Sequence, residues 1–163
     1  MNLKEQLNAD LRDAMRASDE TAKGTLRLLL TAVHNAEIPP ESKDTSTQPT
    51  QAPLRSDLDD AAVLEIIKRE VKQRRDSIDA YTKAARPDLA AIEESEVAVL
   101  QKYLPAQMSR DEIVVVAREV IAELGASGPG DKGRVMPAVI GRLKDRAEGR
   151  EINSVVTELL AGA

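Results

Sequence analysis

This chain has to build its interior almost without rings. Tyr81 and Tyr103 are its only aromatic residues, and there is no phenylalanine or tryptophan. Strands draw on aromatic and β-branched side chains. A helical bundle needs only Leu, Ile, Val, Ala and Met at the right spacing, so the expected fold is all-α. The same poverty leaves no row of rings on which unpaired bases could stack. Cysteine is absent as well. That removes disulfides, thiolate metal sites and cysteine nucleophiles, and it fits a reducing compartment. At 163 residues, folding buries roughly 70% of the extended surface, enough for one domain or two small ones without a staple. The N-terminal stretch MNLKEQLNADLRDAM alternates charge with leucine and has no apolar h-region. No apolar run approaches the ~20 residues that cross a bilayer. Together these features predict a cytoplasmic protein with no membrane association.

Apolar periodicity places helices along most of the chain. Leu3, Leu7, Leu11 and Met15 recur at helical spacing, then Leu26, Leu29, Leu30 and Val33, with Ser18-Asp19 as turn and cap between two antiparallel helices. From Ile38 to Asp57 the character changes to IPPESKDTSTQPTQAPLRSD, which is too polar and too rich in proline to bury a face. This segment is expected to be a mobile solvent loop. A long helix is predicted from Asp57 to about Ala84 with Leu64, Ile67, Val71, Ile78 and Tyr81 on one stripe. The next runs from Pro87 to Leu104 with Leu89, Ile92, Val99, Leu100 and Tyr103 facing inward.

Pro105 to Met108 marks the boundary between a subdomain at 1–105 and another at 106–163. Ser109 and Glu112 form a capping box for a helix carrying Ile113, Val116, Val120, Ile121 and Leu124. After the glycine-rich turn at 125–130, two further helices are expected near 131–146 and 151–161.

Little in the sequence points to self-sufficient catalysis, and neither a catalytic residue, a metal site nor a cofactor is predicted. The single histidine, His34, has no serine, aspartate or cysteine arranged with it in a recognisable triad. Gly128-Pro129-Gly130-Asp131-Lys132-Gly133 precedes a helix, where a phosphate can sit on free amides, but it lacks Walker spacing and follows a helix.

Charge is more informative. The chain is acidic at −5, so any nucleic-acid contact must be a local patch. Lys68 to Arg75 is the densest basic run. Four-residue spacings Glu65–Arg69, Lys72–Asp76 and Arg75–Asp79 predict a salt-bridged, solvated face there. Arg74 falls on the apolar stripe of its helix and Glu96 on that of the next, which predicts an internal ion pair. Between residues 130 and 150, Lys132, Arg134, Arg142, Lys144, Arg146 and Arg150 meet only Asp131, Asp145 and Glu148, a local net of +3. With Val135, Val139, Ile140 and Leu143 turned inward, Arg134, Arg142 and Lys144 are expected on an uncompensated face suited to phosphate.

The stretch VKQRRDSIDAYTKAARPDLAAIEESEVAVLQKYLPAQMSRDEI closely resembles the middle of YqeY-like proteins (the GatB/YqeY family), and GDKGRVMPAVIGRLKDRAEG resembles the family's D-x-G-[KR]-V-M and K-G-R-A-D-G blocks. LRLLLTAVHNAEI is similar to its second helix. Lys132 stands where methionine is usual, and Pro137 and Asp145 where glycine is usual. Pro137 is expected in the first turn of its helix, where proline is tolerated. The resemblance covers the whole chain apart from the 38–57 loop. It implies a four-helix N-terminal part and a three-helix C-terminal part similar to the tail of GatB, a subunit of glutamine-dependent Glu/Asp-tRNA amidotransferase. It further implies a tRNA-binding or tRNA-associated helper, with tRNA, aminoacyl-tRNA or amidotransferase machinery as partners. Lys132, Gly133, Arg134, Arg142, Lys144, Arg146 and Arg150 are then the RNA-contacting residues. Two alternatives are a non-catalytic protein-interaction domain, and a component of a carbon–nitrogen ligase with glutamine as amido donor that needs other subunits.

Overall fold

In the computed structural model, which describes residues 1–38, 56–144 and 146–162, every regular element is helical. Asn2 opens α1 (Leu3–Arg16) with a capping box to Glu5, and Asp19 caps α2 (Glu20–Ala36) by accepting from the Ala22 amide at 2.9 Å. Between them, Ser18 takes a left-handed conformation while the Ser18 and Asp19 amides return to the Met15 and Ala14 carbonyls. This 5→2, 6→1 pattern is a Schellman stop, a position that favours glycine. Asp59 caps α3 (Asp60–Lys83), which starts three residues later than expected because the Asp59 carboxylate supplies the capping oxygen. A second Schellman stop closes α3, with Ala85 left-handed and the Arg86 amide on Tyr81. Pro87 then begins α4 (Pro87–Gln101).

By internal contacts the chain divides into two units, Met1–Leu104 and Pro105–Ala163. In the first, α1 packs on α2 and α3 on α4, around a core of Leu7, Leu26, Leu29, Val33, Val63, Ile67, Val71 and Leu100. Inward assignments are corrected on three helices. Ala14 rather than Met15 is buried on α1, where Met15 is 49% exposed. On α4, Ala90 and Val97 are buried, whereas Ile92 is 54% exposed. On α3, Val63 and Ile66 join Ile67 and Val71 inside and Ile78 packs half-buried against them as expected, whereas Leu64 and Tyr81 are only half-buried. Apolar residues lie on more than one side of α3 and α4. Their spacing therefore does not set the rotation of the helix, and the neighbouring helix does. The expected solvent loop falls largely on residues 39–55, outside the described residues, as does Asp145.

The second unit contains α5 (Arg110–Leu124), α6 (Lys132–Leu143) and α7 (Gly149–Ala161), each packed on the other two. The Ser109–Glu112 capping box opens α5, and left-handed Gly125 ends it. Ile113, Ala117, Val120, Val135, Val139, Leu143, Ile152, Val155, Val156 and Leu160 form the core. Ile140, expected inside, is 47% exposed, and Leu124, also expected inside, is 37% exposed. Pro137 lies in the second turn of α6 rather than its first. It therefore removes one ladder bond that a residue with an amide proton would donate to Gly133.

Candidate nucleic-acid interface

The turn before α6 is built around a carboxylate. Pro129–Asp131 form a single 3-10 turn, closed by the Asp131 amide on the Gly128 carbonyl at 3.0 Å. Asp131 Oδ2 accepts from the Ser127 amide at 2.9 Å, and Oδ1 accepts from Arg134 Nη2, also at 2.9 Å. The Ser127 amide first, and Arg134 second, hold the Asp131 carboxyl below its ordinary value. Thus an anion already sits in the expected phosphate turn, and it is the protein's own.

Arg134 also reaches the Leu124 carbonyl at 3.3 Å. Arg142 grips Glu123 with both terminal nitrogens, at 2.6 and 3.1 Å, and stands 3.8 Å from Glu119. Glu123 is held below its ordinary carboxyl value by this fork, and Arg142 is raised by it. The expected uncompensated charge is corrected at these two positions. For Arg142 the partners lie on α5, outside the 130–150 stretch whose net charge is +3. Arg150 has an interaction of its own. Arg146 is close enough to Glu112 to help lower that carboxyl, though the capping contacts from Ser109 dominate. The Arg146 carbonyl accepts from the Met108 amide at 2.7 Å, tying the joint before α7 to the entry of α5.

Lys132 and Lys144 have no ion-pair partner among the described residues. Lys144 is exposed and left-handed at φ 44°, one of three non-glycine residues of that conformation among those described. Gly133 is exposed in the first turn of α6, and a Cβ there would meet nothing within 4 Å. No packing among the described residues demands that glycine.

In the N-terminal unit, Arg74 is 7% exposed. Its Nε donates to Glu96 Oε2 at 2.8 Å, and its Nη1 donates to Glu70 Oε2 at 2.7 Å. Burial works to lower the Arg74 pKa, but hydrogen bonds and Coulomb attraction from Glu70 and Glu96 outweigh it, and the net shift is upward. Sequence reasoning missed Glu70 as a member, although it stands four residues before Arg74. It also missed Glu37, 1% exposed and paired with Lys4. The signal was present, because Glu37 continues the Leu26, Leu30, Val33 spacing. Two long-range ties had no such signal: Tyr103 Oη donates to Asp10 at 2.6 Å, and Arg110 joins Glu151 and Glu158 of α7. Tyr103 is raised above the ordinary phenol value, first by burial and then by Asp10. One expected salt bridge of α3 differs too: Glu65 pairs with Lys68 at 2.6 Å rather than with Arg69. Among the described residues no three His, Cys, Asp or Glu side chains converge as metal ligands, and no helix is long and apolar enough to cross a membrane.

Comparison with known proteins adds descent to this geometry. A relative from Lachancea thermotolerans, named altered inheritance of mitochondria protein 41, mitochondrial, is 34% identical over 76% of this chain and 60% of its own length. One of the same name from Eremothecium gossypii is 36% identical over 72% of this chain and 58% of its own length. Another from Pyrenophora tritici-repentis is 31% identical over 97% of this chain and 80% of its length. The chain thus spans about three-fifths of the first two relatives. Their names overturn the cytoplasmic expectation. The absence of cysteine, on which that expectation partly rested, does not by itself fix a compartment. The model of the YqeY-like protein family matches residues 4–160, and the chain belongs to that family.

Proposed function

We propose that this chain is a helper module, without a catalytic centre of its own, that associates with tRNA. Two things support the reading: membership of the YqeY-like family, and the resemblance of the C-terminal three helices to the GatB tail. The observation that carries it is the state of the cations on and around α6. Lys132 and Lys144 are unpaired among the described residues, and Arg134 and Arg142 are held by carboxylates near the surface. Exposed pairs contribute only ~0–1 kcal/mol, so an RNA phosphate can replace Asp131 or Glu123 at small cost.

A mobility-shift series with total tRNA at several salt concentrations tests it. The expected result is an affinity that falls linearly in log–log form with salt. Absence of any salt-dependent binding by the wild-type chain would sink the reading and favour a protein-interaction domain. Any role in carbon–nitrogen ligation would need other subunits. The isolated chain is therefore expected to turn over neither glutamine nor ATP, and a steady-state rate abolished by one named substitution would contradict that.

A further inference from the structure

We infer that the solvent side of α3, at Arg69 and Lys72, is a contact for the RNA phosphate backbone. This rests on the tRNA reading above and adds a surface that the family resemblance did not assign. Three observations lead to it.

First, the basic run has lost its acid. Between Ile66 and Arg75 the only carboxylate is Glu70, and it is turned to Arg74 at 2.7 Å to complete a half-buried triad with Glu96. Second, the flanking acids are engaged. Glu65 pairs with Lys68 at 2.6 Å, and Asp76, four residues after Lys72, has another interaction. Third, Arg69 and Lys72 are both exposed and have no ion-pair partner among the described residues. They stand three apart, so they are neighbours on one helical surface, where like charges repel by a few tenths of a kcal/mol. An acidic chain of net −5 thus keeps two adjacent cations unneutralised, while supplying Glu119, Glu123 and Asp131 to the arginines around α6.

A phosphate backbone fits this pair by charge and by chemistry. Arginine supplies a planar fork and lysine a point charge, and neither requires a particular base. The absence of aromatic residues other than Tyr81 and Tyr103 points the same way, to backbone contact rather than base stacking.

The test is a tRNA mobility-shift series at several salt concentrations with four proteins: wild type, R69Q/K72Q, R69K/K72R, and R134Q/R142Q. The slope of log K against log salt is the readout, with far-UV circular dichroism to show that each variant keeps its helix content. The expected result is that R69Q/K72Q flattens the slope by roughly two units, while R69K/K72R keeps the wild-type slope. Salt-sensitive wild-type binding with an unchanged R69Q/K72Q slope would overturn the α3 contact and leave the tRNA reading standing. No wild-type binding would overturn both. Slopes lowered by R134Q/R142Q as well as by R69Q/K72Q support a footprint that includes both sites.

Discussion

At the scale of single residues, the buried cation is the most exposed to damage. Arg74→Ala leaves Glu70 and Glu96 facing each other without their common partner. Breaking such a pair costs about 3–5 kcal/mol, against almost nothing for exposed Lys83→Ala. Denaturant melts of Arg74→Ala, Glu96→Ala and the double variant should show coupling well above about 0.5 kcal/mol, and additivity would mean that the 2.8 Å contact contributes nothing. The left-handed stops make the opposite prediction. Ala85 occupies the glycine position of a Schellman motif at φ 54°, so Ala85→Gly should raise stability by about 1 kcal/mol. A lower melting temperature would show that the methyl group packs usefully. Asp131 titrates with a definite sign. Its folded carboxyl is depressed from 3.8, so its contribution is complete above that value and disappears as pH falls through the folded one. Melting temperature followed below about pH 4 should therefore drop less steeply in Asp131→Asn than in wild type.

At the scale of elements, helix existence was legible and helix rotation was not. Asp19 and the Ser109–Glu112 box announce two helix starts, and both cap as their chemistry requires. The inward faces of α3 and α4 were misassigned in part because apolar residues occupy several sides of each. Pro137 shows the same limit. A family block located it, but only the structure shows that it follows a complete first turn of α6. The connection from α2 to α3 yields a prediction at this scale. The Ser56 amide donates to the Glu37 carbonyl at 3.3 Å, so the chain leaves and re-enters at one place. Closing a shorter loop there changes the entropy only slightly. Replacing residues 39–53 by a short glycine-serine link should leave helicity unchanged and melting temperature within a few degrees. A large fall in either would mean that the segment packs against the helices.

At the scale of the molecule, each unit has its own closed core: one around Leu7, Leu29, Val33, Ile67 and Leu100, the other around Ile113, Val139, Leu143, Val156 and Leu160. We propose on this ground that residues 105–163 fold without the rest. Domains of this size are often stable alone, though marginally. A fragment beginning at Pro105 should give a helical spectrum and a cooperative melt, at lower temperature than the whole chain. A non-cooperative melt would show that the three-helix core needs the N-terminal unit.

The sequence by itself determined that this chain is helical, where most of its helices start, and that Arg74 and Glu96 belong to facing stripes. Caps, apolar period and the lack of rings are local properties, readable within a few residues of one another. What only the tertiary structure decided is which charges are spent. Arg142 looked free in a window of about twenty residues and is paired with Glu119 and Glu123, which lie outside that window on α5. Arg69 looked paired with Glu65 at helical spacing and is not, because Glu65 takes Lys68. For Arg142 the physical reason is reach. A carboxylate on a neighbouring helix is as close to a guanidinium as one four residues along, and folding alone brings the two together.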